Sequence, residues 1–133
     1  MALVLCLSLF ACGKSNEALS AEMQNYVGTW TENEPDINNN TGVKTTNTLT
    51  LNSDGTGTQT SKTSDGYTYS QHGTWTIEDN QIRLEFTRAT GDFRSIMPLS
   101  FNYDENGNLK VNAITGIYDI TAEKTIDGYT KAN

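Results

Sequence analysis

The sequence predicts an all-β protein: an antiparallel up-and-down meander of eight or nine strands with one short helix near the N-terminus. From residue 27 onward, apolar and polar residues alternate with period two, which is typical of strands with one buried and one wet face. Asp-Gly and Asn-Gly pairs, and less perfectly Asp79-Asn80, separate these segments and favour the tight turns of hairpins. Because a long meander must protect its two edges, we expect a barrel or a barrel-like sandwich.

The individual elements follow from this pattern. A helix is predicted at 16–26, where Ala18, Leu19, Glu22 and Met23 have weak helical spacing. The clearest strand is 66–78, in which Trp75 shares an apolar face with the other odd positions and His72 lies on the Thr-rich face. The predicted strands are 27–33, 44–52, 56–63, 66–78, 81–89, 93–103, 108–114, 116–122 and 124–131.

Length and charge limit the function. The chain has 133 residues, of which 35% are hydrophobic, and this is enough for one small domain. It carries 9 basic and 16 acidic residues, a net charge of −7, and the basic residues do not cluster. Phosphate contacts need clustered Lys and Arg, so we expect no nucleic-acid partner. We also expect a monomer.

The segment 1–11 is almost entirely apolar, and Cys12 follows it directly. Such a run is too short to span a bilayer, but it has the length of the apolar core of a secretory signal. The run Leu9-Phe10-Ala11-Cys12 resembles the bacterial lipobox, which implies cleavage before Cys12 and attachment of a diacylglycerol to its thiol. The residues after Cys12 resemble the polar tether of a lipoprotein. An ordinary signal followed by a chance cysteine is the alternative.

This resemblance implies a location and a domain plan. We expect a lipid-anchored protein of the bacterial cell envelope, and Gly13 in place of Asp points to the outer membrane. Cys6 would leave with the signal, so no thiol would remain for a disulfide, a metal or a nucleophile. The expected parts are a signal peptide at 1–11, a tether with a short helix at 12–25, and a barrel domain at 26–133.

Several sequence blocks, in order, resemble lipocalins. Tyr26-Val27-Gly28-Thr29-Trp30 is similar to the Gly-x-Trp opening of that family. The runs 49–58 and 73–84 resemble the second and third hairpins of small bacterial lipocalin-like lipoproteins, and 103–111 fits the same meander. The resemblance spans 26–112 and implies a small apolar or amphipathic ligand inside a barrel. Lipocalins often place an Arg on the last strand against the opening Trp, where this chain offers Lys124 and Lys131.

The aromatic residues are the best ligand candidates, because most of them have inward parity and tyrosine hydroxyls can orient a ligand. We predict ligand contacts at Tyr67, Tyr69, Phe86, Phe101 and Tyr103. We interpret Gly28, Trp30 and Trp75 as structural residues of the fold. A small barrel can also be filled by its own side chains. The protein would then be an interaction module whose loops or exposed aromatics contact a protein or a glycan.

No constellation of residues predicts an enzyme. His72 is the single histidine, and we expect it to be solvated on the polar face with an ordinary pKa. A zinc site would need several His or Cys ligands, so no metal and no cofactor are expected. The run 104–108 has oxygen side chains but lacks calcium-loop spacing, and turn formation explains it better. The polar segment 32–42 is either a lid or an insert.

Overall fold

A computed structural model describes residues 19–92 and 101–133, without the side chains of Phe101 and Ala113. The predictions for the signal segment 1–11, for lipidation of Cys12 and for the strand part 93–100 lie outside these residues. No helix in the described part of the chain is long and apolar enough to cross a membrane.

The described residues form one short helix and nine strands, so the all-β prediction is confirmed. The elements are α1 (Ala21–Gln24), β1 (Gly28–Glu32), β2 (Asp36–Ile37), β3 (Lys44–Leu51), β4 (Thr56–Thr63), β5 (Thr68–Glu78), β6 (Gln81–Gly91), β7 (Phe101–Tyr103), β8 (Leu109–Asp119) and β9 (Tyr129–Lys131). The Ser20 hydroxyl caps α1 by accepting a hydrogen bond from the Met23 amide.

All strand pairs are antiparallel, and the order is β7-β8-β6-β5-β4-β3-β1-β9, with β2 beside β3. Strands β3 to β6 follow chain order, as a meander requires. The single strand β8 replaces the two strands predicted at 108–114 and 116–122, because pairing with β6 continues through Gly116. Strand β7 lies outside β8. In the described part of the chain the outermost strands β7 and β9 do not pair, so the sheet is open.

The predicted turn residues act as turns. Asp79 and Asn80 both have left-handed backbone angles, with φ of 51° and 58°, as a two-residue hairpin turn of type I′ requires. The Asp104 carboxylate accepts hydrogen bonds from the backbone amides of Asn106 and Asn108. These contacts confirm that 104–108 is a turn.

The two faces of the sheet differ in chemistry. The inner face carries the buried residues Trp30, Leu49, Trp75 and Leu84, whose register partners share that face. The outer face carries mainly threonine, serine and charged residues. Trp75 is 1% exposed, which confirms the parity predicted for 66–78.

The hydrophobic core lies on the inner face of the sheet and covers one part of that face. Its buried members are Tyr26, Trp30, Leu49, Leu51, Trp75, Ile82, Leu84, Phe86, Ile120 and Ile126. The last two residues form a β-bridge in the segment that leads from β8 to β9. The ring of Tyr118 on β8 meets that of Tyr129 on β9 edge-on at 5.8 Å. The sheet therefore curls until β8 approaches its far end.

The start of β1 is fixed by contacts around Trp30. Its indole N–H donates to the Tyr26 carbonyl at 2.8 Å. The Lys131 ammonium lies 5.4 Å from the centre of the Trp30 ring and donates to the Asn25 carbonyl at 3.3 Å. Gly28 has φ of 138°, and a Cβ there would lie 2.7 Å from Lys131 Cε. This position therefore requires glycine.

Candidate functional site

Two of the predicted structural residues, Trp30 and Trp75, and one predicted ligand contact lie in the core. Trp30 and Trp75 are 2% and 1% exposed, and each indole N–H donates to a backbone carbonyl. Phe86 is 3% exposed and belongs to the same cluster. These side chains fill the apolar part of the inner face and pack against one another.

The other predicted ligand contacts are dispersed. Tyr67 lies half-buried in the turn before β5, where its amide donates to the Thr63 hydroxyl. Tyr69 is half-buried on the inner face opposite Ser61. Tyr103 is 76% exposed, because β7 is an edge strand. The side chain of Phe101 lies outside the described residues, so this contact stays a prediction.

The remainder of the inner face is polar and hydrogen-bonded. We name Glu32, Asn47, Gln59, Ser61 and Gln71 the polar inner cluster. The backbone amide and the side-chain amide of Asn47 both donate to Glu32 Oε2 at 3.0 Å. Ser61 Oγ and Gln59 Nε2 both donate to Asn47 Oδ1, at 2.6 and 2.8 Å. These bonds hold four side chains from three strands in one arrangement.

One buried atom of this cluster has no partner among the described residues. Gln71 Nε2 donates weakly to Gln59 Oε1 at 3.5 Å, and Gln71 Oε1 is buried without a hydrogen bond. An unsatisfied buried acceptor costs about 1–3 kcal/mol. A ligand that donates a hydrogen bond to Gln71 would remove this cost.

A cleft of about 290 Å³ adjoins the polar inner cluster, and we name it the mouth cleft. Thr45, Thr63 and Tyr69 contribute inner-face side chains to it, and the loops before β3 and β5 supply the rest. Tyr69 is the register partner of Ser61, so the cleft and the cluster share a border. Its lining is Asn38, Thr41, Val43, Thr45, Thr63, Asp65 and Tyr69.

Two tyrosines lie beside the carboxylate of the cluster. Glu32 pairs in register with Tyr129, whose ring contacts Tyr118. Burial, followed by the charges of Glu32 and Asp36, raises the pKa of Tyr129 to about 12. Burial, with smaller effects of Tyr129 and Glu32, also raises the pKa of Tyr118. Both phenols are therefore neutral and can donate hydrogen bonds over the physiological pH range.

The polar inner cluster was not predicted, although the sequence contains a pattern that indicates it. Asn47 has the same parity as Leu49 and Leu51, so it had to lie on the inner face of β3. Glu32 belongs both to the predicted strand 27–33 and to the polar segment 32–42, and it has the parity of Trp30 and ends β1. In this chain, a change from apolar to polar residues at constant parity marks the polar part of the inner face.

His72 lies on the outer face, as predicted. Its ring is half-buried, and Nδ1 and Nε2 lie 3.1 and 2.9 Å from the hydroxyls of Thr58 and Thr90. The expectation of an ordinary pKa is wrong, because burial, and then the nearby Arg88, lowers the pKa of His72. These neighbours come from adjacent strands and cannot be recognised from sequence spacing.

Other surface features of the described residues are less organised. A groove of about 490 Å³ on the outer face is lined by His72, Arg88 and several threonines. The exposed apolar side chains Ile37, Tyr103 and Ile117 belong to three different strands, and β2 and β7 lie toward opposite edges of the sheet. Within the described ranges, no three His, Cys, Asp or Glu residues are grouped to hold a metal ion.

Comparison of the chain with protein-family models, with curated proteins and with solved structures finds no match in any of the three. The fold and the site define the class in structural terms. It is an open, curled antiparallel sheet whose inner face is packed and apolar in one part and hydrogen-bonded and polar in the other.

Proposed function

We propose that this protein is a non-enzymatic envelope lipoprotein that binds a small amphipathic ligand on the inner face of a lipocalin-like sheet. One observation carries the ligand-binding part: the polar inner cluster borders an open cleft of about 290 Å³. Polar side chains on an inward face are costly unless they are paired. The polar inner cluster is ordered by hydrogen bonds, leaves one acceptor without a partner among the described residues, and lies beside an opening. A bound ligand therefore explains it better than folding alone.

The sequence left an apolar or an amphipathic ligand open, and we propose the amphipathic one. The apolar part of the inner face is filled by its own side chains, with Leu49, Ile82 and Leu84 fully buried. The buried acceptor without a partner among the described residues, Gln71 Oε1, lies in the polar part of the inner face. The ligand would place its polar group against the cluster, and its apolar group would contact Tyr69 and Val43 in the mouth cleft.

The contacts around Trp30 support the lipocalin-like part of the proposal. The resemblance leads us to expect a basic residue of the last strand against the Trp of the Gly-x-Trp motif. Lys131 on β9 occupies this position relative to Trp30, with its ammonium 5.4 Å from the ring centre. Lysine would then replace the arginine that is common in that family.

Native mass spectrometry of the protein purified from the membranes of its own host tests ligand binding. We expect a bound small molecule that is released when the protein unfolds. Thr45→Phe would fill the mouth cleft and should abolish the bound mass. Thr46→Phe, the same change on the opposite face of β3, should retain it. A wild-type protein that carries no small molecule and binds none from a host extract would contradict the proposal.

The alternative function is contact with a protein or a glycan through exposed residues. Tyr103, 76% exposed on the edge strand β7, is the observation that favours it. Loss of binding to a host partner in Tyr103→Ser, with the small-molecule content unchanged, would support this alternative.

A further inference from the structure

Among the described residues, the carboxylate of Glu32 is a negative charge on the inner face without a positive partner. Glu32 is partly buried, and it makes no ion pair with any described residue. Lys131 shares the inner face of β9, but its ammonium lies over Trp30 and donates to the Asn25 carbonyl. Hydrogen bonds from Asn47 reach only Oε2, and Oε1 accepts none from the described part of the chain. Oε1 is therefore free for a ligand.

Two aromatic rings lie near this carboxylate. Tyr129 is the register partner of Glu32, and Tyr118 meets Tyr129 edge-on at 5.8 Å. Aromatic rings attract a cation through their negative faces. A carboxylate beside two rings is a suitable environment for an organic ammonium group and an unfavourable one for an anion.

Within the polar inner cluster, the buried atom without a hydrogen-bond partner among the described residues is also an acceptor. Gln71 Oε1 is buried and has no partner in the described part of the chain, whereas the backbone and side-chain amides of Asn47 and the side-chain amide of Gln59 already donate within the cluster. Asp65 contributes a further acidic side chain to the mouth cleft. The net charge of the whole chain, −7, attracts cations and repels anions at a distance.

We propose that the ligand of this site is a small organic cation, an amine that is protonated at neutral pH, whose ammonium group binds Glu32 Oε1. This inference rests on the proposed function, because it names the chemical class of the ligand bound there. The tyrosine pair contacts the carbon atoms beside the nitrogen, and the remainder of the ligand extends toward the mouth cleft. Carboxylates of equal size are excluded by repulsion from Glu32.

Three probes of one scaffold test this preference by isothermal titration calorimetry on the full-length chain at neutral pH. They are 2-phenylethylamine, which is positively charged, 2-phenylethanol, which is neutral, and 3-phenylpropanoate, which is negatively charged. A hydrogen bond to a charged group contributes about 1.5–3 kcal/mol, which corresponds to roughly tenfold or more in affinity. We therefore expect the amine to bind at least tenfold more tightly than the alcohol, and the carboxylate not to bind.

Two variants with the same change in charge locate the effect. Glu32→Gln should weaken binding of the amine about tenfold and change that of the alcohol less than twofold. Glu85→Gln, on the exposed outer face of β6, should change neither. If Glu32→Gln does not fold, salt provides a second measurement on the wild-type protein. Raising the ionic strength should weaken binding of the amine and leave that of the alcohol unchanged.

The outcomes separate the two proposals. If the alcohol or the carboxylate binds as tightly as the amine, or if salt and Glu32→Gln have no effect, the cation preference is wrong and ligand binding remains. If none of the probes binds and the protein from its host carries no small molecule, both proposals fall.

Discussion

Replacing Trp75 with alanine tests whether the inner face is the buried face. The side chain is 1% exposed, and its Cδ1 lies 3.5 Å from where a Cβ on Gly57 would be. A buried aromatic side chain removes roughly 150–250 Å² from water, which at about 25 cal/mol per Å² gives about 4–6 kcal/mol. Aromatic-to-alanine substitutions in cores cost about 3–5 kcal/mol, and we expect a loss in that range.

A hydrogen bond adds to this loss. The Trp75 indole N–H donates to the Asn52 carbonyl at 3.0 Å, and the alanine variant leaves that carbonyl without its donor. Trp75→Phe keeps most of the packing and loses this bond, so it should cost only about 1–2 kcal/mol. Small domains have a total stability of about 5–15 kcal/mol, so the alanine variant should be close to unfolding.

Urea unfolding, followed by the fluorescence of Trp30, measures these free energies. Thr76→Ala, an exposed outer-face change on the same strand, is the control and should stay within about 0.5 kcal/mol. A loss below about 1 kcal/mol for Trp75→Ala would refute the assignment of the faces, since such small losses are typical of surface positions.

Three further changes have defined outcomes. Cys12→Ser should leave the protein unprocessed or release it from the membrane fraction, and a variant still cut at the same bond and still sedimenting with membranes would exclude the lipid anchor. The lowered pKa of His72 stabilises the fold above pH 6.5, its ordinary value, and this contribution is lost as the pH falls. Between pH 7 and pH 5 the melting temperature should therefore fall less steeply for His72→Gln than for the wild type. Equal slopes would place the imidazole in solvent. The raised pKa of Tyr129 stabilises the fold below pH 10.0, and this contribution is lost as the pH rises toward about 12. Over this pH range, the free energy of unfolding in urea should decrease less for Tyr129→Phe than for the wild type. An equal decrease would mean that the phenol is not buried.

The fold was predictable wherever local chemistry determines it. Two such predictions are confirmed: the alternation at Leu49 and Leu51, and the Asp79-Asn80 turn. Both depend only on neighbouring residues. The place of β7 outside β8 was not predictable, because strand order depends on contacts between residues far apart in the chain. For the same reason two strands were predicted where β8 continues through Gly116.

The candidate site was less predictable than the fold. Tyr69 was a correct inner-face prediction, because its parity matches that of Trp75. Tyr103 lies opposite Leu109 but is exposed, since burial on an edge strand depends on what covers it. The contact of Glu32 with Asn47 joins two strands, and only the register between those strands brings the residues together.

The polar inner cluster as a ligand site is the central claim, and NMR of side-chain amides tests it most directly. The amide groups of Asn47, Gln59 and Gln71 each give a pair of signals in a ¹⁵N-labelled sample. Titration with 2-phenylethylamine should shift these signals and leave that of Asn80, which donates to the Ile120 carbonyl away from the cluster, unchanged. If the three cluster signals do not move while the ligand saturates the protein, or if shifts are confined to the outer face, the ligand site does not lie at the polar inner cluster.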